Sequence, residues 1–325
     1  MTGKMDCYGL SRSGSRYEVN QDQFLIADLE KSMRVHCSSV SLDENSRLYG
    51  NSQAKLMMVA DGVGRSNSGD LASRLVTDCI SRYLLNEMEW FQHYNEDTDA
   101  ELYREFLNAF ELCQERLEDD IQEHPERSGM ETTLTLAYLV WPQLYLVHTG
   151  HSRCYLFRNS HLHQLTRDHN FAEQLVTSGA LDVDEVPEIW QELLVNSIGG
   201  NGDSNLNPEI VKTEVRVGDT LLLCTDGLTR QVPDLILFEI LSQNRMADET
   251  CIRLINQAID QGGTDNITAV VARFLDLGDQ DVLLADSLEA DTGTSEDAEV
   301  SQEKDDTQKP DHNNNDRDKQ HDKAI

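Results

Sequence analysis

The chain has 325 residues, of which 38% are hydrophobic, and a formal net charge of −32. That length and apolar content permit one large domain or two small ones, with a sizeable core. So acidic a chain repels nucleic-acid phosphate and anionic membrane, which argues against both as partners and leaves divalent cations, basic partners or plain solubility as uses of the charge.

The first residues, Met1 to Asp6, lead into no apolar stretch, so no secretory signal is expected. The longest apolar candidate, 134–147, is broken by Pro142 and Gln143 and falls short of the roughly 18 residues that a membrane span needs. Seven cysteines, at positions 7, 37, 79, 113, 154, 224 and 251, are odd in number and lack metal-knuckle spacing. That pattern predicts reduced thiols in a cytoplasmic protein.

In chain order, a strand-like run opens at Asn20-Gln21-Asp22 and continues to Ile26. The short apolar run 54–60 predicts a buried strand that feeds a loop at Asp61-Gly62. Apolar residues at helical spacing (Leu71, Leu75, Val76, Cys79, Ile80, Leu84) predict a helix over 69–91. Leu102, Phe106, Phe110, Cys113 and Leu117 predict a second over 99–122. Strand signals cluster at 132–141, 144–148 and 154–158, with short helices expected at 170–178 and 188–196. Strands over 209–215 and 219–224, helices over 232–242 and 247–260, and a last strand over 266–274 complete the body. Bunched strands with helix pairs between them predict an α+β layered sandwich. The chain divides into a body, 1–275, and a tail, 276–325. The tail holds 16 acidic and 5 basic residues and has no aromatic one. Such a segment cannot repay its ordering entropy and is expected to be disordered, either as an interaction or solubilising tail or as a passenger.

Four acidic residues share one context. Asp22 opens a strand, Asp61-Gly62 and Asp226-Gly227 end apolar strands, and Asp265-Asn266 starts the final one. A carboxylate at a strand end is held by a rigid sheet and left open by a loop. Hard divalent cations take several oxygen ligands, and two ions about 3.5–4 Å apart can share one carboxylate and polarise a water for attack on phosphorus. A glycine at 62 lets a backbone carbonyl approach a cation closely. Singly, each Asp-Gly is also an ordinary turn.

Together the ordered motifs are far more specific. They are Gly14 with Asn20-Gln21-Asp22; Val59-Ala60-Asp61-Gly62-Val63-Gly64 with Gly69, Ala72 and Ser73; and Met130-Glu131-Thr132-Thr133. Gly150-His151-Ser152-Arg153, Leu165-Thr166-Arg167-Asp168-His169, Cys224-Thr225-Asp226-Gly227-Leu228 and Gly262-Gly263-Thr264-Asp265-Asn266-Ile267-Thr268 follow. In this order and spacing, over about 6–275, the chain resembles the type 2C metal-dependent serine/threonine protein phosphatases in their compact bacterial form. The resemblance implies a four-layer αββα sandwich of two mostly antiparallel sheets flanked by helices, with a dinuclear metal site at one edge. It implies two Mn²⁺ or Mg²⁺ ions. Asp61 would bridge them, Asp226 and Asp265 would hold the first, and Asp22 with the Gly62 carbonyl the second. It implies hydrolysis of phosphoserine and phosphothreonine without a phosphoenzyme. The partners implied are phosphorylated proteins and an opposing serine/threonine kinase, and the catalytic domain would be monomeric.

The chain departs from that family in three places. The family's phosphate-binding arginine falls on Tyr17, one residue after Arg16; a bulge could restore Arg16 to the site, the metals could hold phosphate alone, or Arg12 could reach. The family's third-metal aspartate is His151, which either binds a softer ion or weakens that site. Arg65 replaces a glycine, and Val63 stands where animal relatives carry a histidine. His169, Thr132 and Thr133 are read as supporting residues. The segment 171–205 would be a mobile flap with Gly179, Gly199, Gly200 and Gly202 as hinge points. The competing reading is an inactive pseudophosphatase that binds phosphoproteins or a kinase; a third is a hydrolase of small phosphate esters.

Overall fold

The computed structural model describes residues 4–16, 18–34, 47–64, 68–88, 96–182, 185–200 and 206–275. The chain enters through strands β1 (Lys4–Arg12), β2 (Asp22–Arg34) and β3 (Arg47–Gly64). Helices α1 (Gly69–Asn86) and α2 (Glu96–Glu123) follow, then strands β4 (Met130–Thr132), β5 (Leu134–Val140), β6 (Gln143–Thr149), β7 (Arg153–Arg158) and β8 (His161–Gln164). After helix α3 (Phe171–Thr177) come β9 (Ile198–Gly199), β10 (Glu209–Glu214) and β11 (Thr220–Cys224). The one-turn α4 (Asp226–Thr229), α5 (Asp234–Ser242), α6 (Ala247–Asp260) and β12 (Ile267–Leu275) close the fold.

The strands form two sheets. One runs β1-β12-β11-β7-β8; the other runs β10-β6-β5-β3-β4-β9, with β2 also paired to β3. Every pairing is antiparallel. Side chains alternate between the faces of a strand, so a strand covered on both faces reads as a continuous apolar run. In β3, Met57 and Val59 point between the sheets, while Leu56, Met58 and Ala60 meet the helices. In β12, Val270, Ala272 and Phe274 face the other sheet, while Ala269 and Val271 face α5 and α6. The apolar stripes of α1 (Ala72, Val76, Ile80, Leu84) and α2 (Leu102, Phe106, Phe110, Leu117) cover the β3 sheet. Leu237 of α5 and Cys251, Leu254 and Ala258 of α6 cover the β12 sheet. The order of layers is therefore helix, sheet, sheet, helix, as the resemblance implied.

Several element boundaries differ from the sequence reading. The expected strand at 54–60 is the middle of a much longer one, because β3 pairs with β2 as far as Arg34 opposite Arg47. Helix α1 stops at Asn86, before the expected residue 91; the Glu87 amide still bonds the Tyr83 carbonyl. The helix expected at 188–196 is a single 3₁₀ turn, Glu188–Gln191. Beyond it the chain returns to α3: the Phe171 amide donates to the Leu193 carbonyl and Asn170 bridges to Leu194. Thr133 splits the expected strand 132–141 into β4 and β5. Tyr17, Cys37, Arg65, Gly202 and the acidic tail lie outside the described residues. Among the described residues, six cysteines are free and no helix is long and apolar enough to cross a membrane.

His148 of β6 is a buried titratable group. Its Nδ1 lies 2.8 Å from Thr135 Oγ1, and its Nε2 lies 3.1 Å from the Arg167 carbonyl, so Nε2 carries the proton. Burial, followed by the neighbouring His169, pushes its pKa down to about 3. An unfolded histidine titrates at about 6.5, so between these values the unfolded chain holds a proton that the fold does not. Stability from this group is present above pH 6.5 and is lost as pH falls toward 3, by about 1.4 kcal/mol per pH unit. Urea unfolding of His148→Gln should show a pH slope between about pH 5 and 6.5 that is shallower by roughly one proton; an unchanged slope would contradict this account.

Candidate active site

The acidic residues come from the ends of both sheets. Asp22 starts β2 and stands opposite Asp61 of β3 in register. Asp226 opens α4, which follows β11 directly, and Asp265 precedes β12. Asp61, Asp226 and Asp265 line one open cleft together with Gly62 and Arg16. Asp22 lies behind its wall and is 3% exposed.

Asp61 does not end its strand, contrary to expectation. It sits where β3 changes partner, from β5 (Val59 opposite Thr135) to β4 (Gly62 opposite Thr132). The break at Thr133 frees hydrogen-bonding groups that clamp the Asp61 backbone. Thr132 Oγ1 and the Thr133 amide both donate to the Asp61 carbonyl at 2.9 Å. The Asp61 amide donates to Thr133 Oγ1 at 3.1 Å. The supporting role expected of Thr132 and Thr133 thus has a defined target.

Gly62 also meets a packing constraint that the sequence reading did not include. A Cβ on it would lie 2.0 Å from the Gly69 carbonyl oxygen, and one on Gly69 would lie 2.6 Å from that of Gly62. The two glycines let the start of α1 touch β3 backbone to backbone, which holds the floor of the cleft.

A buried network fixes Asp22. Its Oδ2 accepts from Thr225 Oγ1 at 2.8 Å and from Thr268 Oγ1 at 2.6 Å. Thr268 also bonds Ser11 Oγ, which accepts from Asn20 Nδ2, while Asn20 Oδ1 receives the Asp22 amide. Hydroxyls from the β11 and β12 sheet thereby hold a carboxylate of the other sheet. Burial pushes this carboxyl up to about 7 against the hydrogen bonds from Thr268 and Thr225.

Cationic groups surround the cleft. Arg16 Nη1 donates to Asp265 Oδ2 at 3.0 Å. Arg16 lies in the loop after β1 and not on a strand, so the one-residue offset does not turn it away; its amide bonds the Thr264 carbonyl at 2.8 Å. Arg12 ends β1 opposite Ile267 and does not line the cleft. Arg230, one helical turn after Asp226, reaches Asp226 Oδ2 at 2.5 Å and Glu192 Oε1 at 3.2 Å. The Asp226–Arg230 spacing of four is a sequence signal for this pair; nothing in the pattern points to Glu192. Asp168 and His169 stand apart from these residues. Asp168 takes a bidentate hydrogen bond from Arg153, and His169 meets the His148 ring at a tilt of 40° and donates its amide to the Gly150 carbonyl. Gly199, expected as a hinge, belongs to β9 and is paired to Glu131 of β4.

His151 enters the acidic cluster. Its Nε2 is 3.5 Å from Asp226 Oδ2 and its Nδ1 is 3.9 Å from Asp61 Oδ2. One ligand-type atom each from Asp61, His151 and Asp226 lie within 4.8 Å of one another. Burial first, then the charges of Asp226 and Asp22, push the Asp61 carboxyl well above its ordinary value. Burial also opposes the Asp226 anion, but His151, Arg230 and a hydrogen bond from Asp61 outweigh it and hold that carboxyl low. Two unit charges 4 Å apart repel by about 4 kcal/mol at an effective dielectric of about 20. Two arginines do not cancel four acids, and oxygen-rich clusters with net negative charge suit divalent cations. Among the described residues, the buried side-chain polar atoms without a partner are His151 Nδ1 and Asn266 Nδ2, in the cluster and beside Asp265. The residues present fit a divalent metal.

Removing a hydroxyl from Asp22 should leave a buried carboxylate short of one hydrogen bond. Thr268→Val is expected to lower the unfolding free energy by about 1–3 kcal/mol, and Asp22→Asn in that background should cost less than it does alone. Chemical denaturation of the four proteins measures both; additive effects would contradict the coupling.

A family profile described as Protein phosphatase 2C matches residues 42–276. The serine/threonine protein phosphatase PstP of Mycobacterium tuberculosis is 32% identical over 242 residues, covering 73% of this chain and 44% of its own length. This chain therefore spans less than half of that relative. The serine/threonine phosphatase stp of Listeria monocytogenes is 30% identical over 240 residues, covering 70% of this chain and 88% of its own length. The crystal structure of the PstP catalytic domain in complex with two manganese ions superposes with a TM-score of 0.64 at 28% identity, over 84% of this chain and 99% of that one. With its four-layer sandwich, its clustered aspartates and this profile match, the chain belongs to the protein phosphatase 2C family.

Proposed function

We propose that this protein is a divalent-metal-dependent phosphatase that hydrolyses phosphoserine and phosphothreonine in proteins and holds two Mn²⁺ or Mg²⁺ ions. The observation that carries this reading is the meeting of Asp61, Asp226, Asp265 and His151 in one open cleft with Arg16 on its rim. The names of the PstP and stp relatives support the reaction, and the two manganese ions in the PstP structure support the cofactor.

Asp61, Asp226 and Asp265 are the proposed direct ligands, with Gly62 beside them. Asp61 is suited to the shared position because Thr132 and Thr133 hold its backbone from both sides. Asp22 has one oxygen taken by two threonine hydroxyls, so only Oδ1 is left to face an ion or its water. Bound ions would supply Lewis acidity and an activated water at neutral pH. Arg16 would leave Asp265 for the phosphoryl oxygens once cations neutralise the carboxylates, since a guanidinium fork matches phosphate geometry. Val63 lines the cleft and has no proton to give, so no side chain at that position protonates the leaving oxygen. Retention of every acidic residue supports turnover over a pseudophosphatase role, and the openness of the cleft supports a protein substrate over a small ester.

The proposal extends to setting. A serine/threonine kinase is the expected opponent in a signalling pair, and a monomeric cytoplasmic enzyme is the expected form, with the body at 1–275 catalytic. The test is release of phosphate from a phosphothreonine peptide with Mn²⁺, Mg²⁺ or EDTA. Metal-dependent turnover should vanish in EDTA and fall about a hundredfold or more in Asp226→Asn, while Arg16→Ala should chiefly raise KM. The peptide should be cleaved better than an aryl phosphate. A folded protein that is inactive with every metal would overturn the enzyme reading.

A further inference from the structure

We propose that His151 is a nitrogen ligand in the metal cluster and makes this cleft select a transition-metal dication, such as Mn²⁺, Co²⁺ or Zn²⁺, over Mg²⁺. The inference rests on the metal-dependent reading above and adds the identity of the ion that the chain prefers.

Geometry is the first ground. The imidazole stands between two carboxylates, with Nε2 3.5 Å from Asp226 Oδ2 and Nδ1 3.9 Å from Asp61 Oδ2. Donors that share a first-row dication at about 2.0–2.2 Å stand about 3–3.5 Å from one another. Each spacing belongs to a different ring nitrogen, and an imidazole offers one ion a single nitrogen. One ligand-type atom from each of Asp61, His151 and Asp226 nevertheless lies within 4.8 Å of the other two, so small side-chain rotations bring one nitrogen and both carboxylates around one ion.

The second ground is the orphaned nitrogen. His151 is 5% exposed, and its Nδ1 has no hydrogen-bond partner. At 3.9 Å from Asp61 the nitrogen is aimed at a carboxylate yet is too distant to bond it. Buried polar atoms are almost always paired, and an ion between these two groups would satisfy both.

The third ground is support. Gly150, just before His151, has φ +102°, and a Cβ there would lie 2.4 Å from the Thr133 side chain. Its carbonyl receives the His169 amide at 2.7 Å. Ser152, just after, bonds Thr133 Oγ1 at 2.8 Å. The same Thr133 accepts the Asp61 amide, so one residue sets both Asp61 and the loop that carries His151. A ring fixed in this way is pre-organised for coordination.

Chemistry gives the selectivity. Mg²⁺ takes oxygen donors and keeps its waters, whereas imidazole suits Mn²⁺ less than Zn²⁺ or Co²⁺ but all of these better than Mg²⁺. A mixed set of carboxylates and one imidazole therefore spreads the affinities apart.

The test uses the full chain. Pulsed electron paramagnetic resonance of the Mn²⁺-loaded protein should show coupling to a directly bound ¹⁴N, and His151→Gln should lose it. Calorimetric affinities for Mn²⁺, Zn²⁺ and Mg²⁺ should show the Mn²⁺-to-Mg²⁺ ratio falling about tenfold or more in His151→Asp, which exchanges the nitrogen for an oxygen donor. Mn²⁺ bound without nitrogen coupling in the wild-type protein, which needs no variant to fold, would overturn this inference and leave the metal-dependent reading standing. A wild-type chain that binds none of the three ions would overturn both.

Discussion

Asp61 and Asp226 bring ligand-type oxygens within 4.8 Å of each other, with Asp22 and Asp265 close enough to add to the repulsion. Much of the structure around the cleft serves to hold those like charges in place. A domain is stable by only about 5–15 kcal/mol, so an uncompensated cluster of this kind weighs heavily against folding. The chain meets that burden with threonine hydroxyls on Asp22 and guanidinium groups on Asp265 and Asp226.

The sandwich explains why the cluster forms at a sheet end. Strand alternation fills the space between the sheets with Met57, Val59, Leu221, Leu223 and Val270 and sends the neighbouring residues outward to the helices. Both faces are thereby committed to apolar packing, and polar residues collect where the strands run out. Asp22 and Asp61 arrive from one sheet, Asp226 and Asp265 from the other, and the Thr225–Asp22 and Thr268–Asp22 hydrogen bonds lock the two together. The same contacts that secure the cleft also seal this edge of the core.

Most of this architecture was legible in the sequence where periodicity was long or motifs were dense. The stripe from Leu102 to Leu117 marked α2, and the paired Asp-Gly steps marked the cleft. What escaped was set by tertiary partners. The length of β3 depends on β2 across the sheet, and the loss of helix after Gln191 depends on the return of Leu193 and Leu194 to α3. Arg16 could not be placed by counting along a strand because it lies in a loop. Glu192 and Arg230, distant in sequence, meet only where both line the cleft. The close backbone approach of Gly62 to Gly69 likewise depends on a tertiary partner, the start of α1.

The most direct test of the account is the thermal stability of the cation-stripped chain against that of the Mn²⁺-loaded chain, in wild type and Asp61→Asn. If the cluster is arranged for a cation, a hundredfold excess of Mn²⁺ over its Kd should raise the wild-type Tm by about 5–10 °C. Asp61→Asn should be at least as stable as wild type in EDTA, because one like charge is gone, and should lose most of the gain from Mn²⁺. A wild-type Tm indifferent to Mn²⁺, together with an Asp61→Asn protein that is less stable in EDTA, would contradict the claim that these carboxylates are held together for a metal.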